Sequence, residues 1–114
     1  MQIHYLEIVT PDVDGACAVY AAAHGVTFGE PDPGLGNART ASLASGGLVG
    51  IRAPMHEAEQ QVVRPYALVT DIEAAVAAAV AAGAELAHPP LEIPGKGTFA
   101  IFILGETHHG FWQL

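Results

Sequence analysis

The chain has 114 residues, 51% of them hydrophobic and 14% charged, with 4 Lys and Arg against 12 Asp and Glu and a formal net charge of -8. An apolar, weakly charged chain of this kind is not a disordered segment, and at this length one domain buries roughly 65% of the surface its unfolded form exposes. The acidic balance leaves no basic patch for nucleic-acid phosphates or an anionic membrane surface, and it favours cationic ligands only modestly, solubility being the simpler account.

Cys17 is the only cysteine, which excludes an intrachain disulfide and a zinc site of several thiolates and points to a reducing compartment. Met1-Gln2-Ile3-His4 runs straight into a strand-like segment and lacks the pattern of an export signal. The longest apolar run, Ala74 to Ala84, has 11 residues, short of the roughly 20 that a membrane-spanning helix needs. A cytoplasmic protein is expected.

Taken in chain order, Ile3 to Val9 alternates and is rich in branched and aromatic residues, which predicts a strand. Thr10-Pro11-Asp12 ends it, and Asp12 is placed to accept from the free amides of a starting helix. Val13, Ala16, Cys17 and Tyr20 form one helical stripe that closes near His24-Gly25. Three extended runs follow, Val26 to Phe28, Arg39 to Ala44 and Leu48 to Arg52, separated by Gly34 to Gly36 and Gly46-Gly47. Met55 to Val63 carries His56, Glu57, Glu59, Gln60 and Gln61 and is expected to be an exposed linker.

From Arg64 the plan repeats, with "RPYALVTDIEAAVAAAVAAGAEL" shadowing "HYLEIVTPDVDGACAVYAAAHGVTF". Ile72, Val76 and Val80 supply the stripe of a second helix. Glu85 to His88, Phe99 to Leu104 and Phe111 to Leu114 supply its three strands, with turns at Pro94-Gly95 and His109-Gly110. A single duplication is a doubled half-domain, not a solenoid. The order is β-α-β-β-β twice in an α+β chain: one module over about residues 1–54, a linker over about 55–63, and a second module over about 64–114.

The strings "EIVTPDVDGACAVY", "VTDIEAAVAAAVAAGAEL", "PPLEIPGKGTFAIF" and "GFWQL", in this order and duplicated, resemble the vicinal oxygen chelate superfamily, which includes glyoxalase and the bleomycin-resistance proteins. The resemblance covers nearly the whole chain. It implies two βαβββ modules whose mixed sheets curl round a concave small-molecule pocket, with the helices outside. Strand alternation then puts Leu6 and Ile8 toward a helix and Tyr5, Glu7 and Val9 toward the pocket. By the same alternation Gly50 with Arg52, Pro65 with Ala67, and Phe111 with Gln113 are expected to line it.

Enzymes of this superfamily hold a divalent metal on four strand positions, which the resemblance maps to Tyr5, Gly50, Pro65 and Gln113. The expected His and Glu ligands are absent: glycine and proline bring no side-chain donor, and tyrosine is a poor partner for a hard divalent ion. No cofactor is therefore expected, with a shifted metal set such as His4, Glu7 and Gln113 as the outlying alternative.

Glu7 is the main candidate for chemistry, since an inward carboxylate needs a partner; Arg52 is the expected one. The pair would orient a polar ligand, or Glu7 would act as a general base with Tyr5 as hydrogen-bond donor; a purely structural ion pair is an equal alternative. Phe111 and Gln113 complete the expected ligand-binding set. Arg39 and Arg64 are read as solvated strand ends, His108-His109 as turn residues, and Tyr20, Trp112 and Cys17 as core. Gly34-Leu35-Gly36 lacks the strand-to-helix context of a dinucleotide loop.

Three functions remain: a metal-free binding or sequestering protein, a metal-independent isomerase, lyase or cyclase with Glu7 as base, and a metal-dependent lyase or dioxygenase. The expected partners are a small molecule and a second copy in a homodimer.

Overall fold

A computed structural model describes residues 1–114. Its elements are β1 (Ile3–Val9), α1 (Val13–His24), a 3₁₀ turn (Pro33–Leu35), β2 (Arg39–Ser42), β3 (Leu48–Arg52), β4 (Val62–Leu68), α2 (Ile72–Ala81), β5 (Glu85–Ile93), β6 (Gly97–Leu104) and β7 (Thr107–Gln113). The chain is thus α+β. It divides into two units, Leu6–Val63 and Met1–Tyr5 with Arg64–Leu114, so β1 contributes to each.

In the unit Leu6–Val63 the strands run in the order β2-β3-β1, with β2 and β3 an antiparallel pair that sets Arg39 opposite Ile51. Asp12 caps α1 by accepting from the Gly15 amide at 3.1 Å. Gly25 ends the helix in the left-handed region at φ 66, its amide donating to the Ala21 carbonyl, as a glycine after a helix C-terminus does at little steric cost. The core is Ile8, Cys17, Phe28, Ala41, Val49 and Ile51, with Leu6, Val13, Ala16 and Tyr20 packed on it. Leu6 and Ile8 therefore face α1, and the intervening Glu7 does not. Burial pushes the Cys17 thiol pKa up, and with 3% of the residue exposed it behaves as a small apolar group.

The strand expected over Val26 to Phe28 does not form. Val26 and Phe28 do pack on the core, so their alternation reports burial. The carbonyls that a ladder would use are taken otherwise: Arg39 donates from Nε to the Gly29 carbonyl at 3.0 Å and from Nη2 to that of Phe28 at 3.5 Å. Pro31 and Pro33 supply no donors downstream. Asp32 instead caps the 3₁₀ turn through the Gly34 amide and bridges Ala38.

In the unit formed by Met1–Tyr5 and Arg64–Leu114 the order is β1-β4-β7-β6-β5. β4 and β7 are parallel, with Tyr66 opposite Gly110 and Leu68 opposite Trp112; β6 is antiparallel to β7 and to β5. Asp71 caps α2 by accepting from the Ala74 amide at 3.1 Å, and α2 packs on β5, β6 and β7. The β5–β6 register shifts around His88 to Leu91, where Pro89 and Pro90 cannot donate to a ladder.

Two expected boundaries move here. β7 begins at Thr107, so His108 and His109 are paired strand residues opposite Ile103 and Phe102, and the turn lies at Gly105, whose φ is 59. β5 continues through Pro89-Pro90 to Ile93, because a bulged edge strand tolerates proline where an interior one does not.

Candidate functional site

Glu7 and Arg52, candidates from the sequence, meet in the unit Leu6–Val63. Arg52 Nε donates to Glu7 Oε2 at 2.9 Å, with 6% and 9% of the two side chains exposed. β3 ends at Arg52, and the Thr10 amide donates to the Arg52 carbonyl at 3.0 Å, which ties the arginine backbone to the end of β1. The rest of the guanidinium meets a residue read as part of a solvated linker: Nη1 and Nη2 donate to Glu59 Oε1 and Oε2 at 2.8 and 2.7 Å. Nη1 also donates to the Ala53 carbonyl at 3.2 Å, and Glu59 Oε1 accepts from the Met55 amide at 2.7 Å.

Arg52 therefore sits between two carboxylates, in a triad of net charge -1. Each ion loses hydration worth several kcal/mol, and only paired, charge-assisted hydrogen bonds offset that loss. The Glu59 carboxyl is held at about 2, first by its hydrogen bond from Arg52 and then by the Met55 amide, against the upward push of burial. The Arg52 pKa is raised, chiefly by the bond to Glu59 and also by Glu7, against burial that lowers it. A signal for Glu59 existed in the sequence: one buried carboxylate cannot satisfy the five donors of a guanidinium.

Tyr5 belongs to a different cluster. Its ring centroid lies 5.7 Å from Tyr66 and 5.5 Å from Trp112, and Tyr66 meets Trp112 edge-on at 5.8 Å. Such tilted and edge-on geometries suit aromatic quadrupoles. Arg64, expected in solvent, is buried; its Nη1 donates to the Tyr66 hydroxyl at 3.4 Å and its Nη2 lies 3.4 Å from His108 Nδ1. Arg64, Tyr66, His108 and Trp112 hold alternate positions of β4 and β7, and so share a face with Tyr5.

That parity corrects the expected lining. Phe111 and Gln113 alternate with Trp112 and point to the opposite face, the one that carries α2. Gln113 Oε1 accepts from the Ile72 amide at 2.8 Å, at the N-terminus of α2, and Phe111 stacks on Phe102 at 4.8 Å. Pro65 and Ala67 likewise alternate with Tyr66 and turn away from Tyr5. The register inferred for β4 and β7 was off by one residue, and a slip of one exchanges the two faces of a strand. Replacing Gln113 by Ala should remove a helix cap and cost about 1 kcal/mol in urea unfolding, with no change in quaternary state by light scattering.

A divalent ion does not fit this donor set. No group of three or more His, Cys, Asp or Glu side chains converges anywhere in the chain, Glu7 is engaged by Arg52, and Gln113 caps a helix. His4 lies tilted against Trp112, with ring centroids 5.6 Å apart.

Two clefts open in the unit Leu6–Val63. One, of about 350 Å³, is bounded by Val13, Gly36, Ala53, Pro54 and Met55 with Asp14 and Arg39. The other, of about 390 Å³, runs along α1 past Cys17, Ala21 and Phe28. Asp14 and Arg39, joined by a 3.0 Å ion pair, line both.

No protein-family model matches the sequence, and no curated protein matches it. Solved structures match the fold. The hypothetical protein BH1468 from Bacillus halodurans C-125 superposes with a TM-score of 0.74 at 11% identity, over 99% of this chain and 94% of the other. Methylmalonyl-CoA epimerase from Mycobacterium tuberculosis gives 0.69 at 15% identity over 97% and 86%. A Streptomyces coelicolor methylmalonyl-CoA epimerase variant in complex with 2-nitronate-propionyl-CoA gives 0.67 at 12% identity over 99% and 96%.

Proposed function

On the premise of a chain with the vicinal oxygen chelate fold, we propose that this protein binds a small molecule without the help of a divalent metal, and that Glu7 and Arg52 form the polar end of its binding site. The observation that carries this reading is the use of Glu7 as a partner of Arg52 in a chain where no three metal-ligating side chains converge. Buried ions held in fixed positions by one another are preorganised, which lowers the cost of presenting them to a ligand. Metal analysis of protein purified without chelator should find no stoichiometric divalent ion, and a metabolite panel should contain a compound that raises the melting temperature of the wild type but not of Glu7→Gln. A tightly bound equivalent of metal, or a panel without any stabilising compound, would overturn the reading.

A second reading is favoured by the epimerases among the structural neighbours. In it the protein is a metal-independent isomerase in which Glu7 takes a proton from an acidic C–H next to a carbonyl and a proton is returned to the same carbon. Glu7→Gln separates the two: a base role requires loss of solvent-deuterium exchange into the substrate with binding retained.

We also propose a homodimer, because β5 is a nine-residue edge of its sheet and Leu86 and Leu91 on it are 40% and 51% exposed, a pattern that natural edges otherwise avoid. No helix is long and apolar enough to cross a membrane. A reducing, cytoplasmic setting is proposed from the lone Cys17.

A further inference from the structure

The stretch from Ala53 to Gln61 forms neither helix nor strand, and most of it is exposed. It is attached to the fold at two points. Glu59 fills the Arg52 fork with two bonds of 2.7 and 2.8 Å, and the Met55 side chain lies against Gly36, beside the Arg52 stem. A β-carbon on Gly36 would fall 2.5 Å from Met55 Cε and 3.1 Å from Arg52 Cδ, so chain, loop and arginine meet closely there. The cleft of about 350 Å³ opens at this junction, with Gly36, Ala53, Pro54 and Met55 in its wall. Its size lies within the roughly 300–1,000 Å³ of small-molecule sites.

A planar guanidinium with a carboxylate on both Nη positions presents the bidentate geometry by which arginine recognises carboxylates in general. Here the carboxylate is supplied by the chain itself, from a segment without secondary structure. Glu7 holds Nε separately, so the arginine keeps its position and one counter-ion when Glu59 leaves.

We propose that the Arg52 fork is a binding site for a carboxylate-bearing small molecule, held closed in the free protein by Glu59, with the carbon skeleton of the ligand lodged in the cleft beside Gly36, Pro54 and Met55. This deepens the small-molecule reading above and rests on it. The exchange is one carboxylate for another at the same two donors, with no bond made or broken. Glu59 acts as a tethered competitor, so a free carboxylate must overcome an effective concentration on the order of millimolar. Selectivity follows: simple monocarboxylates compete poorly, and ligands that also fill the cleft displace Glu59.

Glu59→Gln tests this, since its amide oxygen still accepts from the Met55 amide and from Arg52 Nη1 while its NH₂ can no longer accept from Arg52 Nη2 and the carboxylate charge is gone. The chain has three arginines, Arg39, Arg52 and Arg64, so their Nε–Hε signals are resolved in a nitrogen-edited NMR spectrum. Titrated with sodium propionate, the Arg52 signal of Glu59→Gln should saturate at a concentration about tenfold or more below that of the wild type. Propionamide should move it in neither protein. Glu59→Ala, a different lesion at the same place, should behave alike, and adding Arg52→Lys, which keeps the charge without the fork, should abolish the propionate response read at the Met55 amide. Equal titration of wild type and variants, an equal response to propionamide, or movement of Arg39 or Arg64 alone overturns the proposal. If neither variant folds, wild type at high propionate must move the Met55 amide together with the Arg52 signal, and separate movement overturns it as well. A panel compound that stabilises wild type and Glu59→Gln equally and leaves Arg52 unmoved sinks this proposal alone. A panel without any binder, alongside propionate binding to Glu59→Gln, sinks the broader reading and spares the fork.

Discussion

Replacing Arg52 by Met should lower the free energy of unfolding at neutral pH by about 3–5 kcal/mol, the usual cost of removing one partner from a buried ion pair. The methionine roughly matches the apolar stem, so the loss comes from the ions left behind. Glu7, with 9% of its side chain exposed, and Glu59, with 18%, would be left without the cation between them. Against a typical stability of about 5–15 kcal/mol for a single domain, this is a fifth of the total or more.

The deficit should also depend on pH, in a direction set by Glu59. Its carboxyl is held at about 2 in the folded chain against an ordinary 4.5. A depressed carboxyl contributes stability that is complete above the unfolded value and disappears as pH falls through the folded one. The advantage of wild type over Arg52→Met is therefore largest above pH 5 and shrinks between about 4.5 and 2, where Glu59 is protonated in the unfolded chain but still ionised in the folded wild type. Urea melts of both proteins across that range measure it, and a gap that stays constant or widens on acidification would show that the triad is not the source.

The second large effect is steric. Gly110→Ala should destabilise the protein by about 2–3 kcal/mol, at the upper end of overpacking penalties. Gly110 is buried in β7 directly opposite Tyr66, and a β-carbon there would fall 2.5 Å from Tyr66 Cε2 and 2.8 Å from Cγ. The Tyr66 ring cannot swing aside freely, because Tyr5 and Trp112 touch it at centroid distances below 6 Å and Phe99 lies at 6.2 Å. The cost should fall to under about 1 kcal/mol when Tyr66 is replaced by Ala, since contacting residues couple and distant ones add. A double-mutant cycle in urea reads this coupling, and additive penalties would mean that the ring is not what glycine accommodates.

These two positions separate what local patterning reaches from what it does not. Asp12 before Val13 and Asp71 before Ile72 were readable as caps, because capping is a contact between residues two or three apart. The Glu7–Arg52 pair was readable at a separation of 45 residues, since a buried carboxylate demands a cation and few are available. Glu59 was not read, because a charge among exposed neighbours looks solvated until its partner is known. Arg64 was assigned to solvent for a similar reason: at a strand start, nothing local tells a snorkelling cation from one lodged against Tyr66 and His108.

Sequence alone determined the order of the elements other than the strand at Val26 to Phe28, which does not form, both helices with their caps, and which side of β1 meets α1, all of which follow from side-chain chemistry and the periods of helix and strand. Only the tertiary structure decided which face of β4 and β7 meets Tyr5, that Gln113 caps α2, and that Glu59 closes the Arg52 fork. The physical reason is that a strand read one residue out of register exchanges its faces while its hydrophobic pattern, with Phe111 on one side and Trp112 on the other in β7, scarcely changes. Likewise an ion pair across a loop is set by where the chain returns, which no short window of residues encodes.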